Sequence, residues 1–230
     1  ELHVYSPKGL KETIMQQMKL QGSWLKYPVI FHTLNPHAEE IIFEDERVSV
    51  KAFPLDHSID CFGFWFCEKE RPRKMLKSAI AQYSIPVSEI RQIKKGSDWV
   101  DDNGNLIPNE DLTTTPSPPL SYAYCTDTSP LEHLNQYVQS PDLLYHEATF
   151  MDEHSQRAAQ THHSTARQAA RVAESVNARQ LMVGHFSIRY NDLDPLLNEA
   201  REIFPNTILA REGQTYSLRS AGEPLMPLAR

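Results

Sequence analysis

The chain has 230 residues, 40% of them hydrophobic and 23% charged, with a formal net charge of −7 at pH 7. This composition is ordinary for a folded globular protein, and no apolar run approaches the roughly 20 residues that a membrane-spanning helix needs. The negative charge excludes general nucleic-acid binding through net charge, so a nucleic-acid site would need a local basic patch or metal ions. Three cysteines without Cys-x-x-Cys spacing argue against a disulfide scaffold and favour the cytoplasm.

The first third of the chain is predicted to be mainly strands. Residues 1–5 alternate like a strand already in progress, without an initiator Met, so we expect the chain to open inside a domain. A helix with one apolar face is predicted over residues 11–20. Short runs rich in aromatic and branched side chains then predict a single meander. Its strands are 29–31, 38–43, 48–53 and 61–67.

Residues 68–119 change character and are predicted to be an insertion. Within 68–95, eight basic and three acidic residues give a net charge of 8 − 3 = +5. We expect a short helix near 74–83, polar loops, and a stiff extended linker over 113–119. A basic run is usually a solvated surface, but here it would also suit a grip on a nucleic-acid backbone. The candidate cations are Arg71, Arg73, Lys74, Lys77, Lys94 and Lys95.

After residue 119 the pattern of a globular domain resumes. Strands and helices alternate, which predicts an α/β layered fold. Helices are expected at 131–138, 166–176 and 193–203, and strands at 143–145, 180–183, 207–209 and 215–218, after a first strand that begins near 120. Residues 220–230 are expected to form a loose tail.

Residues that can bind a metal follow four of the predicted strands. They are His57, Asp127, the pair His146 and Glu147, and His185. Because ligands collect beyond strand ends in layered α/β folds, these side chains predict a metal site on the loops. Imidazole and carboxylate groups suit zinc or manganese, and a carboxylate can bridge two ions. Each residue also has an ordinary reading, for instance a capping role for Asp127 in its turn.

The segment around His163 suggests an acid–base residue beside an anion site. Ser164 or Thr165 is a natural N-cap for the following helix, and the first-turn N–H groups of a helix suit a phosphate. His163 could then donate a proton to a leaving oxygen. Plain helix capping with exposed imidazoles is the alternative. Glu147 could orient such a histidine, and Arg189 could clamp a phosphate or form a surface salt bridge.

Taken together, these motifs resemble the ribonuclease Z family of the metallo-β-lactamase superfamily, over about residues 1–218. Each motif is weak to moderate alone, but their order and spacing are specific. The matching segments are Pro54–His57, Thr126–Thr128, His146–Phe150, His163–Thr165 with the helix around Gln168–Ala170, and Gly184–Tyr190. The insertion lies where that family carries its tRNA-gripping arm.

The resemblance implies an αββα metallo-β-lactamase sandwich, N-terminally incomplete, with an inserted tRNA-binding arm. Residues 1–67 would be the remainder of the first half, 68–119 the arm, and 120–219 the second half. It further implies two zinc ions per subunit, a homodimer, and precursor tRNA as the substrate. By motif match, His57 and His185 resemble zinc ligands, Asp127 the bridging carboxylate, His163 with Glu147 the proton donor, and Arg189 a phosphate contact.

One departure from the family pattern is large. The family's signature His-x-His-x-Asp-His cluster does not occur in this sequence. We therefore expect this stretch alone to bind metal poorly and to be inactive. Two other readings stay open: a hydrolase of the same superfamily for small phosphodiesters, and a non-catalytic RNA-binding protein.

Overall fold

The structure is a computed structural model that describes residues 1–218. Contacts between residues divide the described chain into two compact units. The first comprises residues 1–67 together with those from 120 onward, and the second comprises residues 68–119. The predicted tail at 220–230 and residue 219 lie outside the described residues.

The first unit opens with a parallel strand pair. Strand β1 (Leu2–Ser6) pairs with β2 (Val29–Thr33), and helix α1 (Leu10–Leu20) lies between them in sequence. The prediction that the strand at 29–31 belongs to the meander was wrong, because β2 pairs with β1 instead. Parallel neighbours need a long crossover connection, and α1 supplies one. Pairing of this kind depends on that connection rather than on the local apolar pattern.

Three further strands follow: β3 (Glu40–Glu44), β4 (Val48–Leu55) and β5 (Cys61–Glu68). They are neighbours in one sheet, as the predicted meander requires. Gly63 in β5 is needed for packing, because a Cβ there would lie 2.4 Å from the ring of Phe53. That ring is fully buried, so the missing side chain makes room for the core.

The second unit contains short elements. Strand β6 (Lys74–Met75) pairs with β9 (Thr113–Thr114), and β7 (Trp99–Val100) pairs with β8 (Leu106–Ile107). Its helices are α2 (Lys77–Tyr83), α3 (Val87–Ile93) and α4 (Asn109–Leu112).

The expectation of mostly polar loops in this unit was wrong, because it has an apolar core of its own. Each element contributes only one or two core side chains, which hides the pattern among the charges. The buried members are Ala79, Ile85, Ile93, Trp99, Ile107 and Leu112. The buried amide of Asn109 donates to the carbonyls of Ile93 and Ser97, both at 2.7 Å, and ties α3 to the loop that follows it.

The remaining elements complete the first unit. The strands are β10 (Ser121–Cys125), β11 (Leu143–Glu147), β12 (Leu181–Gly184) and β13 (Thr207–Leu209), and the helices are α5 (Ser155–Gln160), α6 (Ala166–Ser175) and α7 (Asp194–Arg201). Within the described residues, one seven-stranded sheet has the order β13-β12-β11-β10-β5-β4-β3. β10 to β13 are parallel, and β10 is antiparallel to β5. The carboxyl ends of the parallel strands therefore share one edge, where ligands collect in such sheets.

Helix α6 packs against this sheet through small side chains. Ala166, Ala169, Ala170 and Ala173 are fully buried, which lets the helix approach the strands closely. Thr165 caps the helix in a capping box with Gln168. The predicted helices at 166–176 and 193–203 are confirmed within a few residues, whereas 131–138 holds only a 3₁₀ turn, Leu134–Gln136. The strand expected at 215–218 does not form, and α5 was not predicted. No helix among the described residues is long and apolar enough to cross a bilayer.

Candidate active site

The sheet edge at the carboxyl ends of the parallel strands brings three predicted side chains together. Asp127 lies two residues beyond β10 and His185 directly follows β12, with Asp127 Oδ1 and His185 Nε2 3.2 Å apart. His163 joins them, because one ligand atom from each of the three residues lies within 4.8 Å of the others. Asp127 and His185 have φ values of 51° and 60°. Left-handed backbone is uncommon for residues other than glycine, although Asp and His adopt it more often than most, and such conformations cluster at functional sites.

A buried carboxylate organises this cluster. Glu147 ends β11 and has no exposed surface. Its Oε1 accepts from the Thr128 N–H at 2.6 Å and from the His163 Nδ1–H at 2.7 Å. Its Oε2 accepts from the Thr149 hydroxyl at 2.6 Å and the Ser164 N–H at 3.0 Å. A carboxylate can only accept, so it holds the His163 Nδ1–H and leaves Nε2 free for chemistry.

His57 lies beside the cluster. Its Nδ1 is 3.1 Å from the His162 carbonyl oxygen, and its ring centroid is 5.3 Å from that of His163. A carbonyl accepts only, so Nδ1–H is the donor and Nε2 keeps its lone pair. The preceding Asp56 is hydrogen-bonded to Thr128 and Ser129, which fixes this strand end beside the loop after β10. Within the described residues, the converging ligand atoms are those of the three-residue cluster and do not include His57.

The donor set fits a divalent metal. Each of the three histidine rings uses Nδ1 in a hydrogen bond: His57 to a carbonyl, His163 to a carboxylate, and His185 to the Thr149 hydroxyl at 2.9 Å. Ligating histidines generally hold their other ring N–H in this way. The Nε2 atoms and the Asp127 carboxylate are nitrogen and oxygen donors of the kind that zinc takes.

The sequence suggested Ser164 and Thr165 as phosphate contacts, but both residues are hydrogen-bonded within the protein. Both are fully buried. The Ser164 hydroxyl donates to the Thr128 carbonyl at 2.8 Å, and its N–H is held by Glu147. The Thr165 hydroxyl accepts from the Gln168 N–H, and the Thr165 N–H donates to the Gln168 side chain. These donors are used inside the protein, so the structure favours the capping reading over the anion site.

Arg189 remains accessible near the cluster. It is exposed, with its guanidinium carbon 5.0 Å above the Phe150 ring and its Nε 3.2 Å from the Ser187 hydroxyl. The centroid of the Phe150 ring lies 6.3 Å from that of His163. Stacking on Phe150 therefore keeps a cation close to the proposed proton donor while leaving N–H donors free for a ligand.

His146 does not belong to the site, although it follows an apolar run. It pairs in register with Cys125 and Val183, and its side chain is fully buried. Its Nδ1 donates to the Glu147 carbonyl at 2.8 Å, whereas Nε2 has no hydrogen-bond partner. Burial lowers the pKa of His146, which favours the neutral ring.

Sequence reasoning gave no role to several residues that build the site. Thr149 and Thr128 both bond to Glu147, and the ring of Phe150 supports Arg189. Thr149 stands in the quoted His146–Phe150 motif, two residues after Glu147. That spacing, typical of side chains on one face of an extended segment, was the available signal.

The comparisons with known proteins agree with this architecture. No protein-family model matches the chain. Ribonuclease Z of Bacteroides fragilis (strain YCH46) is 44% identical over 218 residues, which cover 95% of this chain and 72% of that protein. Ribonuclease Z of Bacteroides thetaiotaomicron is 42% identical over 220 residues, which cover 96% of this chain and 70% of that protein.

Solved structures show the same fold. The short form of human tRNase Z has a TM-score of 0.62 at 22% identity and covers 94% of this chain and 68% of its own. The metallo-β-lactamase fold protein YhfI from Bacillus subtilis has a TM-score of 0.54 at 16% identity, covering 92% and 63%. The fold is thus that of the metallo-β-lactamases, as predicted. Given the relatives at more than 40% identity over most of its length, the chain belongs to the ribonuclease Z family.

Proposed function

We propose that this protein serves as an endoribonuclease that removes the 3′ trailer from precursor tRNA and leaves a 3′-hydroxyl. The supporting observation is the convergence of Asp127, His163 and His185 around the buried carboxylate of Glu147. Membership of the ribonuclease Z family gives this geometry its reaction class. The sequence suggested two alternatives, a small-substrate phosphodiesterase and a non-catalytic RNA-binding protein, and the experiment below separates them.

We further propose that the site holds zinc, two ions per subunit, when the family's full ligand set is present. His57, Asp127 and His185 would be the ligands from this chain, with Asp127 shared between the ions. Bound zinc supplies Lewis-acid stabilisation of the negative charge on a phosphodiester undergoing attack. The two histidines use Nδ1 in hydrogen bonds, which leaves their Nε2 atoms as the possible ligand atoms, and Nε2 of His185 already lies 3.2 Å from the Asp127 carboxylate.

His163 is proposed as the proton donor to the departing ribose 3′-oxygen. Its Nδ1–H is fixed by Glu147, so Nε2 is the atom that would carry the transferred proton. A buried carboxylate holds the catalytic imidazole in its orientation in the same way in hydrolases that use a carboxylate–histidine pair. Arg189 would contact a phosphate of the substrate through its free N–H donors.

The second unit is proposed as the tRNA exosite. Four of the six predicted cations, Arg71, Arg73, Lys94 and Lys95, line one cleft of about 650 Å³, together with Glu70 and residues 115–119. Lys74 and Lys77 do not line it. A groove lined by several cations suits contacts to backbone phosphates, which depend little on base sequence.

Three further parts of the proposal concern the protein as a whole. Because the His-x-His-x-Asp-His cluster is absent from the sequence, the chain alone would bind zinc weakly and lack activity. It would act as a homodimer in the cytoplasm. The free thiols of Cys61, Cys67 and Cys125 support a reducing compartment.

The test uses a completed chain, in which the chain is joined to the part of the Bacteroides fragilis ribonuclease Z that it does not match. We expect this protein to cleave precursor tRNA and to bind zinc, and Asp127→Ala to abolish cleavage and reduce the bound zinc. Cleavage of a nitrophenyl phosphodiester but not of precursor tRNA would favour the small-substrate enzyme. Binding of tRNA without zinc or cleavage would favour the RNA-binding protein.

A further inference from the structure

A buried network in the second unit ends at Arg73, one of the four cations that line the cleft of that unit. The Nε–H of Arg73 donates to the Thr113 hydroxyl at 2.6 Å. Thr113 is buried, and its hydroxyl lies 2.8 Å from both the backbone oxygen and the side-chain oxygen of Asn109. Because these two oxygens can only accept, the Thr113 hydroxyl accepts from Arg73 and donates its one proton to Asn109.

The polypeptide around Asn109 fixes this arrangement. The side-chain NH₂ of Asn109 donates to the carbonyls of Ile93 and Ser97, both at 2.7 Å, which turns its oxygen towards Thr113. The hydroxyl proton of Thr113 is therefore committed to Asn109, and its lone pairs are left for the Arg73 Nε–H. The side chain of Arg73 is thus held from the protein interior, although Arg73 itself is only half-buried.

Arg73 differs in this respect from the other cations of the cleft. In the described part of the chain Arg73 forms no ion pair, whereas Arg71 is paired with the Glu68 carboxylate. Lys94 and Lys95 carry their charges on flexible four-carbon stems. A guanidinium whose Nε is held keeps both terminal nitrogens, which can bind a phosphate in a bidentate manner. A side chain that is ordered before binding also loses less conformational entropy when the ligand arrives.

We propose that Thr113 is a positioning residue that orients Arg73 as the anchoring phosphate contact of the cleft. The two lysines add charge, and Arg73 fixes where a phosphate lies. The backbone N–H of Arg73 donates to the Lys94 carbonyl at 3.0 Å, which ties the anchor to the neighbouring lysine pair. The orientation of Arg73 follows from these contacts, whereas its use in binding rests on the proposed tRNA exosite.

The first measurement needs no ligand. Solvent exchange of the Arg73 Nε–H is followed by ¹⁵N NMR in this chain, and we expect it to be slower than that of Arg91, which is exposed on α3. The protection should persist in Thr113→Ser, which keeps the hydroxyl, and disappear in Thr113→Val, which keeps the shape. Thr207→Val is the matched control and should leave Arg73 protected, because the buried Thr207 hydroxyl donates to a backbone carbonyl in the first unit.

The affinity of this chain for a precursor tRNA transcript, measured over a series of salt concentrations, is the second readout. Thr113→Val keeps every cation, so it should lower the affinity roughly two- to tenfold, as expected for ordering one long side chain, without changing the salt slope. Arg73→Ala should lower the affinity and also reduce the magnitude of the slope by about 0.7–0.9. Arg73→Lys keeps the charge but not the planar fork, so it should resemble Thr113→Val. Arg91→Lys is its control, because Arg91 does not line the cleft.

Two kinds of result would overturn the inference. One is an unprotected Arg73 Nε–H in the unmodified chain, which needs no variant. The other is full affinity in Thr113→Val or in Arg73→Lys, and the second of these variants keeps Thr113, so a poorly folded Thr113→Val would not protect the inference. If the unmodified chain bound no tRNA, the exosite and the anchoring role would both be wrong. The expected affinities without RNA cleavage by the completed chain would count against the proposed reaction alone.

Discussion

The carboxylate of Glu147 lies 2.7 Å from Nδ1 of His163, and these two side chains are 0% and 17% exposed. A buried carboxylate is costly unless its oxygens are fully hydrogen-bonded. Here the same oxygens also accept from Thr128, Thr149 and Ser164, so the group that orients the proposed proton donor also joins three loops. We therefore expect both the stability of the fold and the reactivity of the proposed site to depend on Glu147.

Glu147→Gln should destabilise the fold. Each carboxylate oxygen faces two donors, so the amide NH₂ would oppose donors whichever way it turned. Leaving buried groups unpaired costs about 1–3 kcal/mol in the free energy of unfolding. Urea denaturation measures this loss of unfolding free energy, and Glu174→Gln is the control because Glu174 is exposed. Equal midpoints for the two variants would contradict the role given to Glu147.

His163→Ala separates acid catalysis from metal binding. In the completed chain, loss of a general acid should lower turnover by roughly 10²–10⁴-fold. Zinc content, measured by elemental analysis, should stay near that of the unmodified protein and of the exposed control His133→Ala. The geometry also places His163 within reach of Asp127 and His185. Zinc lost together with turnover would therefore identify His163 as a ligand instead.

The basic cleft of the second unit predicts a salt-dependent affinity. Replacing Arg71, Lys94 and Lys95 by Ala should weaken tRNA binding by the completed chain. The slope of log K against log salt is negative, and each lost phosphate contact should reduce its magnitude by about 0.7–0.9. The matched control removes the same charge from Lys8, Lys11 and Lys19, which are exposed. Equal losses in both triple variants would show a general charge effect and no exosite.

Local pattern was enough to predict the elements that build the sheet edge. The apolar runs before Asp127 and His185 are strands, and the alanine-rich segment 166–176 is the helix that follows His163. Pairing was harder, since the partner of β2 is set by a crossover and not by its own residues. The core of the second unit was missed because its apolar residues are scattered singly among charges.

For the candidate site too, the sequence predicted some features and not others. Which residues could act was readable from the motifs, because their order and spacing resemble those of one family, although each residue alone also had an ordinary reading. The hydrogen-bond partners of these groups were mostly not readable from the sequence. The Ser164 hydroxyl donates to the Thr128 carbonyl and the Ser164 N–H donates to Glu147, 36 and 17 positions earlier in the chain. A chain pattern carries no record of such long-range partners.

Replacing Gly184 is expected to disturb both the packing of the sheet and the neighbouring candidate site. Gly184 ends β12 directly before His185, and a Cβ there would lie 2.3 Å from Tyr145 Oη and 2.7 Å from Cζ of the same ring. Gly184→Ala should therefore overpack the sheet, at about 1–3 kcal/mol of unfolding free energy. Because position 184 is bonded directly to His185, a shift of the backbone there should weaken zinc binding as well.

A double-mutant cycle tests whether Tyr145 is the cause. In a Tyr145→Val background the ring is gone, so adding Gly184→Ala should cost much less than it does alone. Contacting residues usually show coupling of about 0.5–3 kcal/mol in such cycles. Thermal or urea unfolding of the four proteins gives the coupling energy, and zinc titration follows His185. Additive costs would mean that Gly184 is required for another reason than the space occupied by the Tyr145 ring.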